Sequence, residues 1–108
     1  MKQTEINFKV TLDDNHLPVQ INWNAPDAGQ TSSCKSMMVA LWDEQENNTL
    51  RIDLWTKEMP VNEMKRFYID CLGGLAQSIL TSTGDEVMSN EINSLCEKLA
   101  ERVRKSES

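Results

Sequence analysis

The stretch CKSMMVALWDEQENNTLRIDLWT, Cys34 to Thr56, decides the fold. Its second half reads plainly. In residues 49–56, TLRIDLWT, Leu50, Ile52 and Leu54 alternate with Arg51, Asp53 and Trp55, the period-2 pattern of a strand with two distinct faces. This reading directs Leu50, Ile52 and Leu54 inward and Trp55 outward. The first half supports two readings. Cys34, Met37, Met38, Leu41 and Trp42 fall at i, i+3, i+4, i+7 and i+8, which is one face of a helix that Ser32 or Ser33 would cap. The rival reading takes 36–43 as a strand, with DEQENN as the hairpin loop into the next strand. Periodicity favours the helix, with Trp42 on the apolar side of the segment under either reading.

Working outward toward the N-terminus, Ile6, Phe8, Val10 and Leu12 alternate with polar residues, and so do Leu17, Val19, Ile21 and Trp23. The polar cluster Asp13-Asp14-Asn15-His16 lies between them, so 5–24 reads as an antiparallel hairpin. Pro18, which has no amide hydrogen to donate, suits an edge or entry position near the start of the second strand. Residues 25–33, APDAGQTSS, read as a surface loop.

Toward the C-terminus, Pro60 suits the first position of a helix because the amide hydrogen it lacks would have no partner there. Met64, Phe67, Tyr68, Cys71, Leu72, Leu75 and Ile79 then keep helical spacing to about residue 82. Gly73 and Gly74 interrupt this helix at roughly 1 kcal/mol each relative to Ala, a cost that predicts close approach of a neighbouring backbone. Thr83-Gly84 ends it, and Thr83 to Glu86 has the spacing of a capping box for a helix over about 84–104. The predicted fold is α+β and a single domain over 1–108. Its small antiparallel sheet comprises the hairpin 5–24 and strand 49–56, with 36–43 as the alternative fourth strand. This sheet packs on two C-terminal helices, 61–82 and 84–104.

Composition narrows function mainly by exclusion. The chain of 108 residues carries 17 acidic and 11 basic side chains, a net charge of −6, which argues against nucleic acid or an anionic membrane surface as partner. No apolar run reaches the ~18 residues of a spanning helix, and the N-terminal MKQTEINFKV lacks a signal-peptide core. The three cysteines, Cys34, Cys71 and Cys96, are odd in number and widely spaced, which favours a reducing, cytoplasmic setting over a disulfide framework. Each lies on the apolar stripe of its assigned helix and reads as a small buried hydrophobe. The only histidine, His16, sits in a turn remote in sequence from every cysteine, so neither a Cys–His nucleophile nor a metal set is legible. Carboxylates cluster at Asp13/Asp14 and at Asp43/Glu44/Glu46; the first lacks the ligand series of a dedicated cation loop and reads as a solvated turn. No phosphate-binding glycine loop and no nucleophile elbow occurs. The expectation is a protein that is not an enzyme, with no catalytic, cofactor-binding or metal residues and no cofactor.

What remains is surface. An outward Trp on a strand is either covered by a loop or presented to a partner, because indole is a favoured interface anchor. Trp55 with its strand neighbours Arg51 and Asp53 is therefore the candidate protein interface, and a homodimer is the other way for a thin sheet to bury an open face.

The run Asn48 to Phe67, NTLRIDLWTKEMPVNEMKRF, resembles the signature stretch of the GldC family of gliding-motility-associated proteins. Leu41-Trp42-Asp43, the LDDN turn and the INW strand are similar too, so the resemblance covers roughly the first two thirds of the chain. From Asp70 onward it is looser. The resemblance implies a small soluble accessory of the machinery that moves surface adhesins in gliding bacteria of the Bacteroidetes type. The family is encoded near a lipoprotein component there. It brings no catalytic residue and no cofactor. Together these readings predict a cytoplasmic, non-enzymatic accessory or adaptor that binds protein partners of the motility or adhesin-export machinery. A holdase-like chaperone with adaptable methionines is the alternative.

Overall fold

The computed structural model describes residues 1–26 and 29–107, and the chain divides into two compact units, Met1–Met59 and Pro60–Ser108. The first unit holds five strands: β1 (Asn7–Leu12), β2 (Pro18–Ala25), β3 (Gln30–Cys34), β4 (Ser36–Asp43) and β5 (Asn48–Trp55). The second holds two helices, α1 (Val61–Thr83) and α2 (Glu86–Glu107). The class is α+β, as the sequence predicts. The single sheet of that prediction is replaced by two antiparallel sheets, β1-β2-β3 and β4-β5.

Two segments differ from their sequence readings. The segment around 34–43 is a strand and not a helix: Met37 pairs with Leu54, Val39 with Ile52 and Leu41 with Leu50. The helical spacing of its apolar residues misleads because 37–42 is apolar at every position, leaving a helix no polar face. A hairpin uses both sides of such a run. The second difference is β3, which lies in the stretch read as a loop; Asp27 and Ala28 of that stretch fall outside the described residues. In β3, Ser32 sits opposite Trp23 and Cys34 opposite Ile21. It supplies ladder hydrogen bonds and small side chains across from large ones, so hydrophobic periodicity gives no sign of it.

β3 and β4 are separated by Lys35 alone, and the chain changes partner there. Cys34 pairs with β2, Ser36 pairs with Trp55 of β5, and between them the Lys35 carbonyl accepts the Thr56 amide at 2.8 Å. Just beyond, the Lys57 amide donates to the Pro18 carbonyl at 3.0 Å. Pro18 takes the entry position of β2, which is the central strand of its sheet and not an edge.

The β1–β2 and β4–β5 turns use one device. Asp13 Oδ1 accepts the Asn15 and Leu17 amides at 2.8 and 3.0 Å, and Asp43 Oδ2 accepts the Glu46 amide at 2.7 Å. Each turn closes through a left-handed residue, His16 (φ 63°) or Asn47 (φ 52°).

In the helical unit, α2 presents Ser89, Ile92, Cys96, Leu99 and Val103 at alternating spacings of three and four. Ser89 is buried and donates to the Ala76 carbonyl at 2.8 Å, and Ala76 is fully buried, so small residues set the tightest approach of α1 and α2. Cys96 Sγ lies 3.9 Å from the Ile69 carbonyl oxygen. Gly84 ends α1 in the left-handed conformation (φ 74°), the glycine-type stop read from Thr83-Gly84. The capping residue of α2 is Asp85, whose Oδ1 accepts the Met88 amide at 2.9 Å, and not Thr83, whose hydroxyl donates back to Ile79.

The prediction for Gly73 and Gly74 also needs correction. A Cβ built on either would meet no atom within 4 Å, so no backbone approach requires them. Gly73→Ala and Gly74→Ala should therefore each raise unfolding stability by about 0.5–1 kcal/mol, the propensity difference in a helix interior. Urea denaturation of the two variants checks this; a loss of stability would reveal a contact at these positions.

Candidate functional site

The β4–β5 register sorts side chains onto two faces. Met37, Val39, Leu41, Leu50, Ile52 and Leu54 share one. Ser36, Met38, Ala40, Trp42, Thr49, Arg51, Asp53 and Trp55 share the other. The three residues predicted as a site, Trp55, Arg51 and Asp53, thus lie together along one strand on one face. The inward direction expected for Leu50, Ile52 and Leu54 is only partly realised: Leu50 and Ile52 are 50% and 51% exposed, against 52% for Trp55. Trp42 joins the Trp55 face and is 68% exposed, where the sequence reading kept it on an apolar side.

Arg51 and Asp53 form a two-pronged ion pair. Arg51 Nη2 and Nε donate to Asp53 Oδ2 at 2.9 and 3.2 Å. At an exposed position such a pair adds at most about 1 kcal/mol, so it orients Asp53 more than it stabilises the strand. The second oxygen, Oδ1, is buried and has no hydrogen-bond partner among the described residues.

Beside Asp53 the surface sinks into a depression of about 280 Å³ lined by Leu17, Pro18, Asp53, Leu54, Trp55 and Lys57. Its far wall comes from the β1–β2 turn, and the Lys57 amide bond to Pro18 holds the two walls together. A second tie is electrostatic. Lys57 Nζ donates to Asp13 Oδ2 at 2.9 Å, joining residues 44 positions apart in sequence. Thr56, between Trp55 and Lys57 in sequence, is buried, and its amide donates to the Lys35 carbonyl. An indole, a carboxylate, an ammonium and an aliphatic wall converge here, which suits a side chain or short segment of another protein.

Sequence reasoning found Trp55 and Asp53 but missed Leu17, Pro18, Lys57 and Asp13. Their contribution depends on a contact between distant segments that no local pattern encodes. Arg51 acts on the depression through Asp53 and does not line it. The three cysteines are half-buried and free of disulfides; Cys34 lies on β3 and not on a helix.

The family model of gliding motility-associated GldC-like proteins matches residues 18–105. The chain belongs to this family. The match takes in the depression from Pro18 onward and both helices, reaching further toward the C-terminus than the resemblance read from Asn48–Phe67. β1 and the Asp13 turn precede it. Comparison with curated proteins and with solved structures returned no match. Among the described residues, no helix of this GldC-like protein is long and apolar enough to cross a membrane.

The Asp13 carboxyl is held below the usual carboxylate range, chiefly by the Leu17 amide and then by the Lys57 ammonium. A lowered folded-state pKa stabilises the fold above the unfolded carboxylate pKa and ceases to do so as pH falls through the folded value. Asp13→Asn should therefore be less stable than the native chain at neutral pH, with the gap closing in acid. Paired urea titrations at the two pH values check the sign, and a gap that persists in acid would contradict it.

Proposed function

We propose that this GldC-like protein is a non-enzymatic accessory of the gliding-motility machinery. It acts in the cytoplasm by binding a protein partner of the motility or adhesin-export apparatus. The observation that carries the reading is Trp55, half exposed at the end of β5 beside a depression that also presents Asp53 and Lys57. Large aromatic side chains in this setting serve as interface anchors: they bury much area on binding and lose little conformational entropy. Charges on both sides of the indole favour a partner with complementary polar groups around an apolar centre. Membership of the GldC-like family supports the link to gliding motility.

A second reading, a holdase-like chaperone, is favoured by one observation. Leu41, Trp42, Leu50, Ile52 and Trp55 of one hairpin are each at least half exposed, and six methionines in the chain suit adaptable contacts. Suppression of the aggregation of unrelated unfolded proteins separates this reading from a dedicated adaptor.

Trp55→Ser tests the leading reading. Trp55 is already half exposed, so the variant should fold with a stability loss of no more than about 1–2 kcal/mol while motility and partner capture from cells fall sharply. A folded variant with normal motility and unchanged capture would refute the assignment.

A further inference from the structure

Two surface grooves flank the seam of the helical unit, and Ile69 and Val103 line both. They differ in charge. The first, of about 330 Å³, is neutralised from within, because Asp70 and Glu107 line it beside Arg66 and Arg104. Arg66 Nη2 donates to Glu107 Oε2 at 2.9 Å, and Arg104 pairs with Glu101. The second, of about 480 Å³, is lined by Lys65, Tyr68, Ile69 and Leu72 of α1 and by Leu99, Arg102, Val103 and Ser106 of α2. The two helices carry seven carboxylates, and none of them lines this second groove. Among the described residues neither Lys65 nor Arg102 has an ion-pair partner. Two uncompensated cations thus border an apolar floor in a chain of net charge −6.

Shape and charge together define what fits. On each helix the four lining residues fall at i, i+3, i+4 and i+7, one face over two turns and about 10 Å. Ser89 meets Ala76 and Cys96 meets Ile69, so the two helices run antiparallel. Side by side, two such faces form the trough into which a third helix packs. Lys65 and Arg102 stand on opposite walls of that trough. A helix with carboxylates on both flanks of its apolar stripe meets both cations, whereas a long-chain carboxylate, charged at one end, meets one. Charges more than about 8 Å away are largely screened at physiological ionic strength, so the local sign outweighs the net charge at contact.

We propose that the Lys65–Arg102 groove docks an acidic amphipathic helix of a protein partner. It belongs to the helical unit and does not rest on the Trp55 reading.

The probes are two labelled, helix-stapled peptides with Leu at i, i+3, i+4 and i+7, flanked in one by Glu and in the other by Lys. Fluorescence anisotropy with the full chain should show the Glu peptide binding about tenfold or more tighter than the Lys peptide. The double variant Lys65→Glu, Arg102→Glu should reverse that preference, and Lys65→Gln with Arg102→Gln should abolish it without adding repulsion. Both pairs of positions are exposed, so the circular dichroism spectrum should be retained. Arg66→Gln, in the neighbouring groove, and Trp55→Ser should leave the preference unchanged, which separates this inference from the partner-binding reading. Failure of the Glu peptide to bind, equal binding of the two peptides, or an unchanged preference in the folded double variants would overturn the proposal. So would laurate binding that requires Lys65 and Arg102 while the Glu peptide does not compete, or a native dimer that these substitutions dissociate in the absence of peptide.

Discussion

The change of partner at Lys35 is the constraint on which the first unit depends. Up to Cys34 the chain is the third strand of one sheet, and from Ser36 it is the first strand of another. One residue makes this switch while the Lys35 carbonyl still finds a donor, the Thr56 amide. The end of β5 is held near the start of β2, where the Lys57 amide reaches the Pro18 carbonyl. The depression beside Trp55 follows from that bond, since Leu17 and Pro18 form one wall and Asp53 to Lys57 the other.

The same topology leaves apolar surface uncovered. A two-stranded sheet has two faces and little width, so its own strands cannot shield both. In β4 and β5 each face carries large apolar groups: leucines and Ile52 on one, Trp42 and Trp55 on the other. The helical unit is economical in a different way. Its closest approach relies on Ala76 and Ser89, and the buried Ser89 hydroxyl is satisfied by a carbonyl of the facing helix. Val87 and Leu95 lie off the Ser89–Val103 seam of α2 and stay exposed, as does Met88. Both units thus have firm hydrogen-bonding frames and thin cores.

Where hydrophobic alternation was strong, the fold was legible in the sequence. The β1–β2 hairpin, β5 and both helices follow from spacing, because in each one side is apolar and the period is unambiguous. β4 was not legible because a continuous apolar run satisfies the helical and the strand templates together, and only its pairing with Leu50, Ile52 and Leu54 decides between them. β3 was hidden for the opposite reason. QTSSC has almost no apolar content, and its role is to hydrogen-bond to β2. The glycine pair in α1 misled because its helix-propensity cost suggested a neighbour that the structure does not place there.

The candidate site divides in the same way. The sequence alone determined that Trp55, Arg51 and Asp53 share one side of a strand, because side-chain direction alternates with a period of two wherever the chain is extended. It also determined the turn at Asp13, whose short carboxylate folds back on nearby amides. Only the tertiary structure decided that Asp13 and Lys57, 44 residues apart, form an ion pair, and that Leu17 and Pro18 face Trp55 across a depression. Those contacts depend on two hydrogen bonds at the sheet junction, Thr56 to Lys35 and Lys57 to Pro18. Backbone amides and carbonyls are the same in every residue but proline, so residue identity does not record which distant pair will meet.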